Sequence, residues 1–227
     1  MTAITGTNLG EPLDGTNGAD VIDAKGGADV INAGQGSDIV FAGQGDDDVF
    51  GGGGNDTLRG DGGDDDVFGG QGNDRVFGNI GDDTVRGDAG NDFVYGGQGD
   101  DNVFGNVGFD RVFGGNGNDT MFGGEGNDVV SGDAGNDRII IDTAHFGSDE
   151  VDGGTGFDTL RFNTTDEELA ATLAAEAETY LAGDTSVEFT FTGGHTVVNV
   201  EAVDIFLNGS VFVPEVPELI EPEEGLL

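Results

Sequence analysis

A nine-residue repeat runs through most of this sequence and constrains what the chain can fold into. From Gly15 to Ile140 the chain divides without a gap into 14 units of nine residues. A typical unit, at 69–77, reads Gly-Gly-Gln-Gly-Asn-Asp-Arg-Val-Phe. In every unit, position 4 is Gly, position 6 is Asp and position 8 is aliphatic or Met. Each unit is therefore one element of a structural array.

The pattern within the unit predicts a turn followed by a very short strand. Positions 1 to 5 are rich in Gly, which accepts positive φ, and so favour a tight turn. Positions 7 to 9 leave three residues for a strand, with position 8 facing inward and its neighbours facing outward. Two units make one coil, and stacked coils place parallel strands side by side. The prediction is an all-β roll of two parallel sheets, roughly 34 Å long at about 4.8 Å per coil.

The charge of the chain indicates that the aliphatic core alone is not enough to stabilise the folded state. The chain has 46 Asp and Glu against 7 Lys and Arg, for a formal net charge of −39, and such a chain repels itself when compact. One apolar residue in nine buries little surface against the entropy of ordering the unit. Stacked turns bring Asp over Asp, which becomes favourable when a hard cation lies between them. Ca²⁺ accepts about six to eight carboxylate and carbonyl oxygens, whereas Mg²⁺ holds its waters in a strict octahedron.

We therefore predict calcium ligands at two positions of the unit, the Asp side chain at position 6 and the Gly backbone at position 4. The position-6 candidates are Asp20, Asp29, Asp38, Asp47, Asp56, Asp65, Asp74, Asp83, Asp92, Asp101, Asp110, Asp119, Asp128, Asp137 and, in a later unit, Asp158. The position-4 candidates are Gly18, Gly27, Gly36, Gly45, Gly54, Gly63, Gly72, Gly81, Gly90, Gly99, Gly108, Gly117, Gly126 and Gly135.

Composition argues against several classes of protein. A chain this acidic does not suit nucleic acid or an anionic membrane surface. The absence of Cys removes disulfides and thiolate zinc sites, and no apolar run approaches the length of a spanning helix. His145 and His195 are isolated and are expected to be ordinary loop or turn residues. With no H-E-x-x-H and no G-x-S-x-G pattern, we predict that the protein is not an enzyme and has no catalytic residues.

The units resemble the RTX (repeats-in-toxin, or haemolysin-type) calcium-binding nonapeptide, G-G-x-G-x-D-x-U-x. Position 2 departs from Gly often, as at Thr16, Asp61 and Asn79. The resemblance implies a calcium-bound parallel β-roll in which each ion lies between the turns of units n and n+2. For 14 units it implies up to about twelve ions. It also implies a secreted bacterial protein, at the cell surface or beyond it, exported by type I secretion machinery without an N-terminal signal, and Met1–Gly10 shows no such signal.

The sequence predicts three regions. Residues 1–14 form a degenerate N-terminal cap, with Glu11 where Asp would stand and Leu13 at position 8. Residues 15–161 form the repeat region, which consists of the regular units at 15–140 and an irregular coil at 141–161. In that coil the register breaks over 141–152 and returns once at 153–161. Residues 162–227 form a C-terminal capping region.

The capping region has mixed α+β character. The sequence Thr165-Asp-Glu-Glu168 is a capping-box pattern, and apolar residues at helical spacing from 169 to 181 predict a helix that stops at Gly183. Alternating runs at 187–191 and 198–200 flank Gly193-Gly194 and predict a hairpin. The segment 197–206 resembles segments that close RTX rolls. The acidic tail at 214–227 is a candidate secretion signal.

Outward position 9 carries eight aromatic residues. Because alternate units lie on opposite sheets, the aromatics should form two columns. One column holds Phe41, Phe77, Tyr95 and Phe113, and the other holds Phe50, Phe68, Phe104 and Phe122. Arg59, Arg75, Arg86, Arg111 and Arg138 share these faces. They are either ordinary strand surface, with Arg stacked on rings, or an interaction face.

Two classes of function stay open at this stage. The first is a secreted structural protein that folds on Ca²⁺ outside the cell and self-assembles into a surface layer, matrix or filament. The second is a soluble calcium-triggered folding or binding module that aids type I secretion or binds a larger partner. In both, self-repulsion keeps the chain unfolded where calcium is scarce, and calcium binding then supplies the free energy of folding.

Overall fold

The computed structural model describes residues 1–144, 147–183, 185–186 and 188–212. His145, Val187 and the tail at 214–227, each part of a sequence prediction, lie outside these residues. The repeat strands are β1 Thr2–Thr5, β2 Pro12–Thr16, β3 Asp20–Asp23, β4 Val30–Gln35, β5 Ile39–Gln44, β6 Asp48–Gly53, β7 Thr57–Gly62, β8 Asp66–Gln71, β9 Arg75–Ile80, β10 Thr84–Ala89, β11 Phe93–Gln98, β12 Asn102–Val107, β13 Arg111–Asn116, β14 Thr120–Glu125, β15 Val129–Ala134, β16 Arg138–Asp142, β17 Glu150–Asp152 and β18 Thr159–Thr164. The closing elements are α1 Glu167–Leu181, β19 Phe189–Thr190, β20 Thr196–Val198, β21 Ala202–Leu207 and β22 Ser210–Val211.

Strands β1 to β18, which we call the roll, alternate between two sheets. One sheet runs β1-β3-β5 through β17 and continues to β20 and β19, and the other runs β2-β4-β6 through β18 and continues to β21 and β22. Every pairing within the roll is parallel, and in the regular units partners are 18 residues apart. The predicted all-β parallel roll is confirmed. We call α1 with β19 to β22 the cap.

The core of the roll is a single layer of position-8 side chains. These residues, from Ile22 to Ile139, are almost completely buried between the sheets. Position 1 also faces inward, where Ala24, Ala33 and Ala42 extend the core of the first coils. The interior is therefore thin, as the spacing of apolar residues predicts.

The strands are longer than the sequence predicts. Regular strands such as Ile39–Gln44 have six residues and cover positions 7 to 9 and then positions 1 to 3 of the next unit. The prediction of a turn over positions 1 to 5 is wrong, because the turn is confined to positions 4 to 6. Pairing continues because position 2 takes positive φ, as at Asp61 and Asn79, which bends the strand without ending it.

Glycine at position 4 is required for two reasons. Gly72 has a φ of 136°, which side-chain-bearing residues rarely adopt. A Cβ on Gly72 would also collide with the carbonyl oxygen of Gly54, one coil earlier. Position 4 is thus fixed by the close approach of stacked turns.

Position 5 forms a ladder of hydrogen bonds between successive coils, which the sequence pattern does not predict. The backbone N–H of Asn73 donates to Asn55 Oδ1 at 2.9 Å, and the N–H of Asn91 donates to Asn73 Oδ1 at 2.8 Å. On the opposite edge, Asp82 and Asp100 continue an equivalent ladder of aspartates. One edge of the roll therefore carries amides, and the other carries carboxylates as far as Asp100, after which Asn118 and Asn136 continue its ladder.

The register break is smaller than predicted. Val151 in β17 pairs with Val130, as any position-8 residue pairs with its neighbour. Ile141 and Asp142 still pair with Phe162 and Asn163, as positions 1 and 2 of a unit do. Gly147 and Asp149 stand at positions 4 and 6 of that unit, so three extra residues are inserted between Asp142 and Gly147. The prediction of twelve residues out of register is wrong, because only the insertion breaks the repeat.

The first residues extend the roll by one coil. Leu13 pairs with Ile31, which confirms its place at position 8, and Ile4 pairs with Ile22 in the other sheet. The segment 1–14 therefore continues the two sheets.

The cap has the predicted helix and hairpin. The N-cap of α1 is Asp166, whose side chain accepts from the Leu169 N–H at 3.0 Å, so the helix begins one residue later than the capping-box pattern indicates. Ala170, Leu173, Ala174, Ala177 and Tyr180 are buried, whereas Leu181 is exposed. β19 and β20 form the antiparallel hairpin around Gly193-Gly194, and β20 and β21 pair in parallel with the last two roll strands.

Candidate metal centre

The position-6 carboxylates stack into two columns inside the roll. The Asp20 column contains Asp20, Asp38, Asp56, Asp74, Asp92, Asp110, Asp128 and Asp149, and the Asp29 column contains Asp29, Asp47, Asp65, Asp83, Asp101, Asp119, Asp137 and Asp158. All sixteen are buried. In both columns Oδ1 accepts from the backbone N–H of the aspartate one coil earlier, at 2.7 to 3.0 Å.

The second oxygen of these carboxylates has a different environment. Oδ2 is buried without a hydrogen-bond partner in every member of the two columns except Asp20 and Asp149. An unpaired carboxylate oxygen in a protein interior is strongly unfavourable, because it has lost its water and gained no donor. The repetition of this feature at fourteen turns fits a bound cation.

Burial raises the pKa of the carboxyl groups along the middle of the columns. Desolvation is the largest cause, and neighbouring carboxylates add to it, so the pKa of Asp65 and of Asp101 rises to about 8. The pKa of Asp110 and of Asp137 rises to about 7 for the same reasons. At neutral pH without a cation, burial in the folded roll would therefore disfavour the ionised form of these carboxyl groups.

Backbone carbonyl oxygens of inward-facing position 1 lie near the free carboxylate oxygens. A Cβ on Gly69 would lie 2.6 Å from the Gly87 carbonyl oxygen and 2.7 Å from Asp74 Oδ2, so two oxygens converge on one point.

The donor set is of oxygen only. In the part of the chain that the structure describes, no three His, Cys, Asp or Glu side chains gather at one point. The remaining ligands would therefore come from the backbone, which suits a hard cation. The position-4 carbonyls point towards the next turn of the same column, as Gly54 does towards Gly72, and are available for this role.

In the first turns of the roll, the carboxylates accept hydrogen bonds from residues of their own turn. Asp20 Oδ2 accepts from the backbone N–H of Thr16 at 2.6 Å and from its hydroxyl at 2.8 Å. The hydroxyl hydrogen bond is the largest cause of lowering the pKa of Asp20 to about 2. In the preceding turn, the Thr7 N–H donates to the Glu11 carboxylate. Glu11 takes the place of Asp, as predicted.

Two members of the site escaped the sequence prediction. Asp149 occupies position 6 of the displaced unit, and the signal was present as Gly147-x-Asp149-x-Val151. His195, predicted to be an ordinary loop or turn residue, is 5% exposed and contacts Asp149 Oδ2 through Nδ1 at 3.2 Å. His195 does lie in the loop before β20, as predicted, but its burial at the end of the Asp20 column was not expected.

The outward aromatic residues form the two predicted columns. Tyr95 pairs with Phe77 and Phe113 in one sheet, and Phe50 pairs with Phe68 in the other. The rings of Phe50 and Phe68 stack with centroids 5.3 Å apart. Arginine interleaves with the rings, and Arg86 lies 5.4 Å from the Phe68 centroid and 5.2 Å from that of Phe104. These contacts fit the strand-surface interpretation, and most of the rings are half-buried.

Comparison with known proteins agrees with this geometry. The family model of the RTX calcium-binding nonapeptide repeat matches residues 14–49, 41–76, 77–112, 104–139 and 143–161. A search of curated proteins finds no match. Among the described residues, no helix has the length and apolarity needed to cross a membrane. RTX repeats form a structural β-roll that binds Ca²⁺, and proteins that carry them are typically secreted. With matches over most of the chain and a parallel roll that stacks its aspartates, this protein belongs to the RTX calcium-binding nonapeptide repeat family.

Proposed function

We propose that this protein is a secreted calcium-folded rod, in which Ca²⁺ bound between successive turns supplies the stability that the thin core lacks. The observation that carries the proposal is the pair of columns with buried, unpartnered Oδ2 atoms. Each ion would be held by position-6 carboxylates of two successive turns and by backbone carbonyls that include those of position-4 glycines. Bound Ca²⁺ would neutralise stacked charge and cross-link one coil to the next.

The pattern of free oxygens gives a number of ions. In the Asp20 column, five gaps lie between aspartates that both keep a free Oδ2, and the Asp29 column has seven such gaps. We therefore propose about twelve ions. The first gap of the Asp20 column is left out because Thr16 already satisfies Asp20.

The repulsion between the carboxylates also supports the proposal that the protein is secreted. Without calcium, folding would bring together the charges of a chain with a net charge of −39 and would bury carboxyl groups whose pKa is raised by burial, so the chain should stay unfolded where calcium is scarce. An unfolded chain can be threaded through an export channel. Outside the cell, binding of Ca²⁺ to the folded state alone would pull the equilibrium towards the roll. We propose type I secretion on this basis, with 214–227 as its candidate signal.

We further propose that the folded rods assemble with one another. The arginines lie on the outward faces of the sheets, whereas one edge of the roll carries the exposed carboxylates of Asp46, Asp64, Asp82 and Asp100 at the spacing of the coils. The Arg and aromatic face of one copy is therefore complementary to the acidic edge of another. The exposed rings of Phe109 and Phe157 add apolar contact at the turns.

The alternative is a soluble module that does not assemble and that serves export or binds a larger partner. The mutual stacking of rings and arginines within each face favours it, because these side chains already have partners in the monomer.

Two measurements on the full chain test these proposals. Far-UV circular dichroism and hydrodynamic radius, in EDTA and in millimolar Ca²⁺, test calcium-dependent folding. We expect an expanded chain in EDTA and a compact β-rich one in Ca²⁺, and a compact roll in EDTA at neutral pH would overturn the proposal.

Negative-stain imaging in Ca²⁺ tests assembly. We expect sheets or filaments from the natural chain and their loss in Phe50→Ser/Phe68→Ser, with Thr57→Ser as the matched outward control. Monodisperse rods at all calcium concentrations would favour the soluble module.

A further inference from the structure

The cap completes each aspartate column with a residue of its own. Val197 in β20 pairs with Val151, and Val203 in β21 pairs with Leu160, so both valines occupy position 8 of a terminal turn. The residues two places earlier, His195 and Glu201, therefore stand at position 6. Neither turn contains the repeat sequence, and only the strand register reveals this correspondence.

His195 closes the Asp20 column by direct contact. Its Nδ1 lies 3.2 Å from both the backbone nitrogen and Oδ2 of Asp149. The ring is buried, with Phe162 against its edge at a centroid distance of 6.0 Å. The Thr196 N–H donates to the Asp149 carbonyl at 2.8 Å, as position 7 does throughout the roll. Asp149 Oδ2 is not one of the buried carboxylate oxygens that lack a partner, and the terminal turn offers no carboxylate.

Glu201 ends the Asp29 column differently. The Asp158 N–H donates to Glu201 Oε2 at 2.9 Å, which reproduces the hydrogen bond that links successive aspartates along the column. Asp158 is fully buried, and its Oδ2 has no partner in the protein. Glu201 is half-buried and keeps a second oxygen. The gap between these turns therefore has two carboxylates, as each gap within the roll does, although one of them belongs to a glutamate.

We infer that the cap seats on the roll by two different means: His195 plugs the Asp20 column without a metal ion, whereas Glu201 and Asp158 bind one further Ca²⁺ at the end of the Asp29 column. This inference rests on the proposed calcium function of the columns. The first contact tethers β20 to β17 at any calcium concentration, and the second fastens β21 to β18 only when calcium is bound.

The test is a count of bound ions on the full chain by native mass spectrometry in Ca²⁺. Glu201→Gln keeps an oxygen for the Asp158 N–H but loses the charge, and is expected to bind one ion fewer than the natural chain. His195→Asp restores a carboxylate at position 6 and removes the ring that lies against Asp149 Oδ2, and is expected to bind at least one ion more. His195→Asn is the matched control, because its amide can accept from the Asp149 N–H and donate to Oδ2, and its count should stay unchanged.

The outcomes separate this inference from the function on which it rests. A natural chain that binds no Ca²⁺ overturns both. A natural chain that binds about twelve or more ions, with Glu201→Gln at an unchanged count, overturns only the inference. Equal counts for His195→Asp and His195→Asn overturn the plug. If His195→Asp does not fold, Glu201→Gln and His195→Asn still decide the question, since loss of an ion in the first and not in the second is required.

Discussion

The roll and the cap are stabilised in opposite ways. Inside the roll, one layer of aliphatic side chains lies between two columns of buried carboxylates. In the cap, Tyr180, Phe189 and Phe191 pack with ring centroids 5.1 to 5.9 Å apart. The Tyr180 hydroxyl donates to the Thr185 carbonyl at 3.1 Å and accepts from the Val200 N–H at 3.0 Å, so this polar group is paired. The cap has a conventional core, and the roll has an interior that only a cation completes.

Acid should substitute for calcium in the roll, and this is the largest effect that we expect. The pKa of Asp65 and of Asp101 is about 8 in the metal-free fold, against 3.8 for an ordinary aspartate. The folded state therefore binds protons more readily than the unfolded chain, and its stability falls as the pH rises from the ordinary aspartate pKa of 3.8 through the raised values of about 6 to 8. In chelator, we predict little β-structure at pH 8 and a gain at pH 5.5, read by far-UV circular dichroism.

Calcium should reverse that dependence, because protons then compete for the ligands. Identical spectra at both pH values in chelator would contradict the assignment of buried carboxyl groups to the roll.

Truncation of a core side chain in the cap should lower the stability of the protein through lost packing and not through lost calcium binding. Phe191 is 2% exposed and its ring lies 5.2 Å from that of Phe162. Phe191→Ala should lower the free energy of unfolding by about 3–5 kcal/mol, measured by urea denaturation in saturating Ca²⁺. The ion count of the regular coils should be unchanged, and a loss of several ions would mean that the two regions are not energetically distinct.

Removal of one buried charge from the roll should weaken calcium-dependent folding but favour folding in chelator. Asp101→Asn keeps the Oδ1 acceptor for the Asp83 N–H but loses a charged ligand. In calcium titrations we expect a midpoint about tenfold higher, equivalent to roughly 1.4 kcal/mol. In chelator at pH 8, the variant should be easier to fold than the natural chain, because an unpaired buried charge is gone.

The matched control is the neighbouring Asp100→Asn at exposed position 5. It should shift neither midpoint appreciably, and equal shifts for the two variants would refute a special role for position 6.

The repeating part of the molecule is predictable from the sequence, whereas the features that break the repeat are not. Strict spacing fixed the parallel register, the inward position 8 and the stacking of position-6 aspartates, because each is a consequence of period and alternation. The length of the strands is not predictable in this way, since nothing local shows that Asp61 or Asn79 holds positive φ within a paired strand.

The residues missed at the site depend on long-range register. Asp149 was hidden by the three-residue insertion, although Gly147 and Val151 preserve the motif around it. His195 could not be recognised, because its place at position 6 follows from the pairing of Val197 with Val151. The cap helix was found from its capping residues and spacing, which are local signals.

The central claim is that cations between stacked turns hold the roll together while the cap has its own core. Hydrogen exchange with mass spectrometry, on the full chain at neutral pH in Ca²⁺ and in chelator, tests it most directly. We predict strong protection throughout the roll in Ca²⁺, its loss along 15–161 in chelator, and a smaller loss in α1. Undiminished protection of the roll strands in chelator would contradict the claim.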